Sequence, residues 1–182
     1  LKNKIFVPGH PIAGTEKSGP ENGFKNLFRD KWFISTNSSL CNEKNIDYIN
    51  SLWKKLGSKT ITMKSKDHDS IMAITSHIPH LIAYNIVGTA SELEEDIKSE
   101  VIKFCASGFR DFTRIASSDP VMWRDIMLSN KEEIISLLDK FNNDLRQILD
   151  AIKKDDGEFL VKKFQKTREI REKIIEAGLD KN

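Results

Sequence analysis

The fold class is decided by the stretch of residues 31–63, KWFISTNSSLCNEKNIDYINSLWKKLGSKTITM. Its opening run, Lys31–Ser35, is apolar and short, as is typical of a β-strand. Its closing segment, Lys59–Met63, alternates and is rich in Thr and Ile, which predicts another strand. Between them, residues 43–56 place four apolar side chains on one helical face: Ile46, Ile49, Trp53 and Leu56. Strand, helix and strand in this order indicate a small piece of an α/β sheet.

Upstream of this stretch, the apolar run Lys4–Val7 predicts a further strand. It enters a loop rich in Gly and Pro that extends from His10 to Gly23. Three short strands make a marginal sheet when they stand alone.

Downstream of residue 65 the patterns are helical, with no convincing strand. One helix is predicted over 67–88, with a kink at Pro79, and another over 91–106, where Ser91 and Glu94 form a capping box. Two further helices are predicted to begin at Asp119-Pro120 and at an Asn130–Glu133 capping box. The last is predicted over 158–177, with four side chains facing inward: Leu160, Phe164, Ile170 and Ile174. A near-heptad stripe marks the longest of them: Ile134, Leu138, Phe141, Leu145, Ile148 and Ile152. Such a stripe packs on another helix, either in the same chain or across a dimer.

Composition excludes several classes of protein. Lys and Arg number 29 against 27 Asp and Glu, a net charge of +2, so no nucleic-acid partner is expected. Hydrophobic residues make up 38% of the chain, enough to bury one core. Cys41 and Cys105 lack metal-type spacing and are expected to be reduced thiols of a cytoplasmic protein. No run of 18 apolar residues occurs, so no membrane partner is expected.

Four clusters carry side chains suited to chemistry. The first is GHPIAGTE, residues 9–16, in which His10 follows a predicted strand and is therefore placed to face a cleft. Pro11 favours an extended backbone at His10, and Gly14 allows close approach of a ligand. The plainer interpretation is a turn whose histidine caps a neighbouring group.

The second cluster is SHIPH, residues 76–80, where His77 and His80 share a helical face. Together with His68 and Asp69 they suggest a metal-dependent helical hydrolase, although the ligand set is incomplete. A buried polar position in a helix explains the pair equally simply.

The last two clusters are GFRDFTRIA, residues 108–116, and SDPVMWRDI, residues 118–126. Asp111 and Arg114 can pair at i, i+3, and a guanidinium can hold a carboxylate by two parallel bonds. A solvated surface pair is the alternative. Trp123, just after a well-capped helix start, suits a core position.

Taken together and in this order, the four clusters resemble the prephenate/arogenate dehydrogenase family of tyrosine biosynthesis, over residues 4–150. The resemblance implies an α+β, mainly α chain: residues 1–65 form the C-terminal strands and helix of a Rossmann-type dinucleotide-binding domain, and residues 66–182 form an all-helical dimerisation and substrate-binding domain. It implies an oxidoreductase that uses NAD or NADP to decarboxylate prephenate or arogenate oxidatively, as a cytoplasmic homodimer with no resident metal.

The resemblance also assigns roles. His10 matches the family's catalytic histidine, which accepts the substrate hydroxyl proton. The substrate-binding positions are His80, Arg114, Trp123 and Thr15, and Trp123 matches a tryptophan that reaches the neighbouring subunit's site. Glu16 and Asp111 resemble, with Arg114, an ionic network that gates access. Gly9 and Pro11 match positions beside the cofactor.

The sequence departs from the family pattern in one respect, since it contains no G-x-G-x-x-G motif. That motif is expected upstream of Leu1, in most of a mononucleotide-binding unit. The 182 residues alone are therefore expected to bind NAD(P) poorly and to be inactive. The alternative is a non-catalytic helical dimerisation or ligand-binding module.

Overall fold

The computed structural model describes residues 5–14, 19–93 and 95–176. The strands in these ranges are β1 (Gly9–Ile12), β2 (Trp32–Thr36) and β3 (Lys59–Met63). The α-helices are α1 (Glu43–Lys55), α2 (Ser65–Met72), α3 (Ile78–Ser91), α4 (Glu95–Lys103), α5 (Ser107–Ala116), α6 (Pro120–Ser129), α7 (Lys131–Lys153) and α8 (Gly157–Glu176). The predicted order of a small α/β piece followed by helices is confirmed.

The strands form one sheet in the order β1-β2-β3. β2 and β3 are parallel and α1 connects them, as residues 31–63 predict. β1 pairs antiparallel with β2, so that His10 lies opposite Ile34 and Pro11 opposite Phe33. Pro11 has no N–H to donate, which is compatible with its place on the outer of the two strands.

The predicted position of the first strand is wrong. Residues 5–8 form no strand, and His10 lies within β1 instead of in the following loop. Pairing with β2 decides this, because the Thr36 N–H donates to the Pro8 carbonyl (3.0 Å) and the ladder then runs onward through Gly9–Ile12. The apolar run Lys4–Val7 indicated a strand, but strand pairing is a tertiary property.

Aromatic packing fixes α1 on the sheet. The Trp53 ring stacks on Phe33 (4.4 Å between centroids, 11° between planes) and meets Phe28 edge to face at 5.0 Å. Gly57 ends α1 as predicted, with a φ of 90° that favours glycine. Ser35 of β2 is buried, and its hydroxyl bonds the Thr62 hydroxyl of β3 (2.8 Å).

α2 and α3 are joined by a π-helical segment, Ala73–His77, so the helical backbone is continuous from Ser65 to Ser91. The Ile78 N–H donates to the Ala73 carbonyl, five residues back, which is the π pattern. Pro79 follows directly and supplies no N–H, which explains why the wide turn lies here. The helix predicted over 67–88 is thus longer and contains a π segment.

Of the predicted helix caps, the structure confirms Asp119 and contradicts Ser91. Asp119 caps α6, accepting the Met122 N–H at 2.8 Å. The Ser91–Glu94 capping box is wrong, because Ser91 ends α3 and its hydroxyl donates to the Gly88 carbonyl; Glu94 lies outside the described residues. The Asn130 amide nitrogen donates to the Asp69 carbonyl (2.8 Å), a contact that the predicted capping box with Glu133 does not include.

Contacts divide the chain after Ile135 into two compact units. In the second unit, Lys163 of α8 bonds Asp144 of α7 (2.8 Å). The inward-facing set predicted for α8 is wrong at three positions, since these side chains are 39–55% exposed: Phe164, Ile170 and Ile174. Each of two paired helices covers only one side of the other, which leaves the remaining apolar face open.

No helix in the described ranges is long and apolar enough to cross a membrane.

Candidate functional site

His10 projects from β1 toward the start of α2. Its Nδ1 lies 2.9 Å from Nε2 of His68, and the two rings meet edge to face with centroids 5.2 Å apart. Partial burial lowers the pKa of His10 below 6.5, and the nearby His68 lowers it further. The ring is therefore neutral at neutral pH, and its Nε2 is left for another partner.

His68 connects His10 to a carboxylate. Its other ring nitrogen, Nδ1, lies 2.8 Å from Oδ1 of Asp69. The His68 side chain is 17% exposed and that of Asp69 49% exposed. The three side chains Asp69, His68 and His10 therefore form a continuous hydrogen-bonded series across the α2 and β1 elements.

His77 extends the cluster of histidines. Its Nδ1 lies 3.2 Å from the amide nitrogen of Asn130, the same nitrogen that donates to the Asp69 carbonyl. Burial lowers the pKa of His77, the charges of His10, His68 and His80 lower it further, and the charge of Asp69 raises it. His77 therefore lies within electrostatic reach of the other three histidines of the chain, including His10, which is 67 positions away in the sequence.

His80 lies one helical turn after the π segment. Its Nδ1 donates to the Ser76 carbonyl at 2.9 Å, which leaves Nε2 as the free ring nitrogen. Burial lowers the pKa of His80, the bond to Ser76 raises it, and the nearby Arg114 charge lowers it. The net lowering favours a neutral ring whose Nε2 carries a lone pair.

Trp123 of α6 packs on this histidine. The two rings stack with 3.6 Å between centroids and 19° between planes, and His77 meets the indole edge to face at 6.2 Å. Trp123 is 7% exposed, as its predicted core position requires. Its buried Nε1 has no hydrogen-bond partner within the described ranges, so the indole retains a donor for another group.

Arg114 and Asp111 both lie on α5. The closest guanidinium nitrogen is 3.7 Å from the Asp111 carboxylate, and the side chains are 57% and 71% exposed. A pair this exposed and this loose contributes little to stability. Arg114 therefore has donors left for an anion, and its charge already reaches His80.

Four predicted residues remain: Thr15, Glu16, Gly9 and Pro11. Thr15 and Glu16 lie outside the described residues. Gly9 and Pro11 lie in β1, and a Cβ at Gly9 would collide with the Phe33 ring, so sheet packing alone explains this glycine. The glycine-rich turn that holds dinucleotide phosphates in Rossmann-type domains has no counterpart in this sequence, which lacks a G-x-G-x-x-G motif.

Sequence reasoning missed two residues of the site, His68 as the partner of His10 and Asn130 as the link to His77. The sequence suggests His68 and Asp69 only as metal ligands. In the parts of the chain that the structure describes, no group of three His, Cys, Asp or Glu side chains is arranged to hold a metal ion. The signal for His68 could not come from spacing, since it lies 58 residues from His10.

Two family models match the chain. One, described as the dimerization domain of prephenate dehydrogenase, covers residues 64–166. The other, described as the nucleotide-binding domain of prephenate dehydrogenase, covers residues 1–62.

Individual relatives agree. A cyclohexadienyl dehydrogenase of Zymomonas mobilis is 39% identical over 94% of this chain. The crystal structure of Aquifex aeolicus prephenate dehydrogenase with hydroxyphenyl propionate and NAD+ is 36% identical over 93% of the chain, with a TM-score of 0.85. Synechocystis arogenate dehydrogenase is 25% identical over 92%, with a TM-score of 0.80. The chain spans 58% of the Zymomonas protein's length, and 59% and 61% of the two crystallised chains.

Proposed function

Because this chain belongs to the prephenate dehydrogenase family, we propose that it carries the catalytic and substrate-binding residues of an NAD(P)+-dependent dehydrogenase. The proposed substrate is prephenate or arogenate, both six-membered ring dienes with a carboxylate and a hydroxyl on the ring. The reaction oxidises the carbinol carbon, releases the ring carboxylate as carbon dioxide and leaves an aromatic ring. NAD(P)+, when bound, supplies the acceptor for the hydride.

The observation that carries this proposal is the placement of His10. Loss of hydride from the carbinol carbon requires a group that takes up the hydroxyl proton. Burial keeps the His10 ring neutral, and its Nδ1 is engaged by His68, so Nε2 is the nitrogen left to accept that proton. A histidine that is neutral at neutral pH can accept this proton.

Arg114 and His80 are the proposed anchors for a dicarboxylate substrate. Arg114 keeps donors available beyond its loose contact with Asp111, and a guanidinium can hold a carboxylate through two parallel bonds. His80 presents Nε2 as an acceptor when neutral and as a donor when protonated, because its Nδ1 is committed to Ser76. Trp123 supports the His80 ring, and its unpaired indole N–H is a further proposed substrate contact.

Thr15 is a proposed substrate contact, and Glu16 with Asp111 is proposed to gate the site. Gly9 and Pro11 are proposed to lie beside the nicotinamide. The phosphates of the cofactor need groups other than these, since the sequence has no G-x-G-x-x-G motif.

We propose that the boundary between the nucleotide-binding part and the helical part lies after residue 65. We also propose a cytoplasmic location for the protein.

We also propose that the chain forms a homodimer through its helical part. The apolar side chains left open on α7 and α8 support this, among them Leu145, Leu149, Val161 and Phe164, each 47–54% exposed. Trp123 packs on His80 of its own chain, which supports a contact with the substrate of that chain. If it contacts the partner's substrate instead, as its family counterpart implies, dimerisation is required for activity.

The proposed function is tested with two proteins: the 182-residue chain, and the same chain joined to the nucleotide-binding part of the Zymomonas relative. The joined protein is expected to reduce NAD+ or NADP+ with prephenate or arogenate, and His10→Asn is expected to lower kcat by at least about 100-fold. Asn85→Asp, a change on α3 outside the cluster, is the control. Retention of wild-type kcat by His10→Asn would exclude His10 as the base.

The second candidate is a non-catalytic dimerisation or ligand-binding module, which the open apolar faces of α7 and α8 also favour. The two functions differ in one measurement. A joined protein that dimerises and binds hydroxyphenyl propionate, yet turns over neither substrate, would identify the module.

A further inference from the structure

We propose that Asp69, acting through His68, fixes the tautomer of His10 so that its lone pair lies on Nε2. This inference rests on the proposed function, since it concerns how the proposed base is kept ready to accept a proton. It assigns positioning roles to two residues that the family resemblance did not identify, at positions 68 and 69.

The assignment follows from counting hydrogens along the series. The Asp69 carboxylate only accepts, so the His68 Nδ1 at 2.8 Å must carry the hydrogen. A neutral His68 then has its lone pair on Nε2. The contact of 2.9 Å between that Nε2 and Nδ1 of His10 therefore needs a hydrogen on His10 Nδ1. A neutral His10 so arranged has its lone pair on Nε2.

The reverse arrangement is disfavoured by the same geometry. If His10 carried its hydrogen on Nε2, its Nδ1 lone pair would need a hydrogen from His68 Nε2. A neutral His68 would then have its lone pair on Nδ1, 2.8 Å from the Asp69 carboxylate oxygen, and two lone pairs at this distance repel each other. Asp69 thus selects the tautomer of a ring that it does not touch.

The series also accounts for the charge that forms on His10. When His10 accepts a proton it becomes a cation beside His68, and Asp69 supplies the opposite charge on the far side of His68. His77 faces the same group from the π segment and opposes this charge when protonated. Asp69 lines an open polar cavity of about 460 Å³ together with Lys66, Asn130 and Glu133, so water reaches its carboxylate.

The test reads the tautomer directly. Histidine-¹⁵N NMR of the 182-residue chain, at a pH well above 6.5, distinguishes a protonated Nδ1 from a protonated Nε2 at His10. The wild-type chain is expected to carry the hydrogen on Nδ1. Asp69→Asn is expected to shift His10 toward a mixture, and Asp67→Asn, an exposed carboxylate on the same helix, is expected to leave it unchanged.

His68→Phe is the second variant, because it keeps a ring in place and removes the acceptor for His10 Nδ1–H. It should therefore shift His10 toward a mixture of tautomers, and it keeps the test valid if Asp69→Asn folds poorly. An unchanged His10 tautomer in Asp69→Asn or His68→Phe would overturn the proposal. So would a wild-type His10 that carries its hydrogen on Nε2.

Activity separates this proposal from the proposed function. In the joined protein, Asp69→Asn is expected to lower kcat at least tenfold with KM within about threefold, as loss of a tautomer-fixing carboxylate does elsewhere. If Asp69→Asn changes the His10 tautomer and kcat is unchanged, Asp69 does fix the tautomer but His10 is not the base. If neither the tautomer nor kcat changes, Asp69 does not fix the tautomer.

Discussion

The imidazole of His80 lies flat on the indole of Trp123, with 3.6 Å between the ring centroids and 19° between the planes. The contact joins α3 to α6, two helices whose relevant residues are 43 positions apart. The Nδ1 of His80 also donates a hydrogen bond to the Ser76 carbonyl in the preceding helical turn. Its ring is therefore fixed on two sides, which aims Nε2 in one direction and makes it a well-oriented contact for a ligand.

Replacing the indole should destabilise the fold. We expect Trp123→Ala to lower the free energy of unfolding by about 3–5 kcal/mol, because it removes a buried aromatic ring and leaves a cavity. Trp123→Phe should cost less than Trp123→Ala, since it keeps a ring against His80 and leaves a smaller cavity. Urea unfolding measures both, with Val121→Ala, 54% exposed on the same helix, as the control. Equal losses for Trp123→Ala and Val121→Ala would contradict the packing described here.

Arg114 should determine substrate affinity. We expect Arg114→Ala to weaken binding of hydroxyphenyl propionate by roughly 10- to 150-fold, the equivalent of about 1.5–3 kcal/mol for a charge-assisted contact. Arg114→Lys should recover only part of the loss, because an ammonium cannot make two parallel bonds. Calorimetry on the joined protein gives Kd, and Arg110→Ala, an exposed cation on the same helix, is the control. An unchanged Kd for Arg114→Ala would remove it from the site.

Activity should fall at acid pH. His10 must be neutral to accept a proton, and burial and His68 lower its pKa below 6.5. As pH falls through this lowered value the base is protonated and kcat/KM is lost. A profile of kcat/KM against pH for the joined protein should therefore show an acid limb with a midpoint below 6.5. A midpoint clearly above 6.5 would contradict the described surroundings of His10.

Stability should also depend on pH in a defined direction. The pKa of His77 is lowered in the folded chain, so between this value and 6.5 the unfolded chain binds more protons. The contribution to stability is present above pH 6.5 and is lost as pH falls through the folded pKa. Urea unfolding followed by tryptophan fluorescence should show this slope, and His77→Gln should flatten it. The control Lys44→Gln, an exposed charge on α1, should leave the slope unchanged. An unchanged slope in His77→Gln would show that His77 does not titrate as described.

The open apolar face of α7 and α8 should be needed for self-association. Leu149 and Phe164 are 47% and 54% exposed, and a charge at either position would be buried in a helix-to-helix interface. We expect Leu149→Lys and Phe164→Lys to convert a dimer to a monomer in sedimentation velocity. Asn143→Lys, an exposed polar position on α7, should remain dimeric. A dimer that survives both apolar substitutions would place the interface elsewhere.

Local sequence signals predicted much of the fold because they are local in origin. The strand–helix–strand unit of residues 31–63 follows from apolar periodicity and a glycine stop, and α6 begins where Asp119-Pro120 indicates. The strand that holds His10 was misplaced, because its position depends on pairing with β2 and not on the composition of Lys4–Val7. The exposed side of α8 was also mispredicted, because a helical stripe reveals which residues share a face but not what covers that face.

The sequence by itself determined the order of elements and the family, and through the family resemblance it predicts roles in proton transfer and anion binding for His10, His80 and Arg114. Only the tertiary structure decided which of them meet and through which atoms. A ring nitrogen becomes a base, a donor or a spectator according to the group bonded to the other nitrogen, and that group can lie anywhere in the chain. For His10 it is His68, 58 residues away, and for His80 it is the carbonyl of Ser76, one helical turn away.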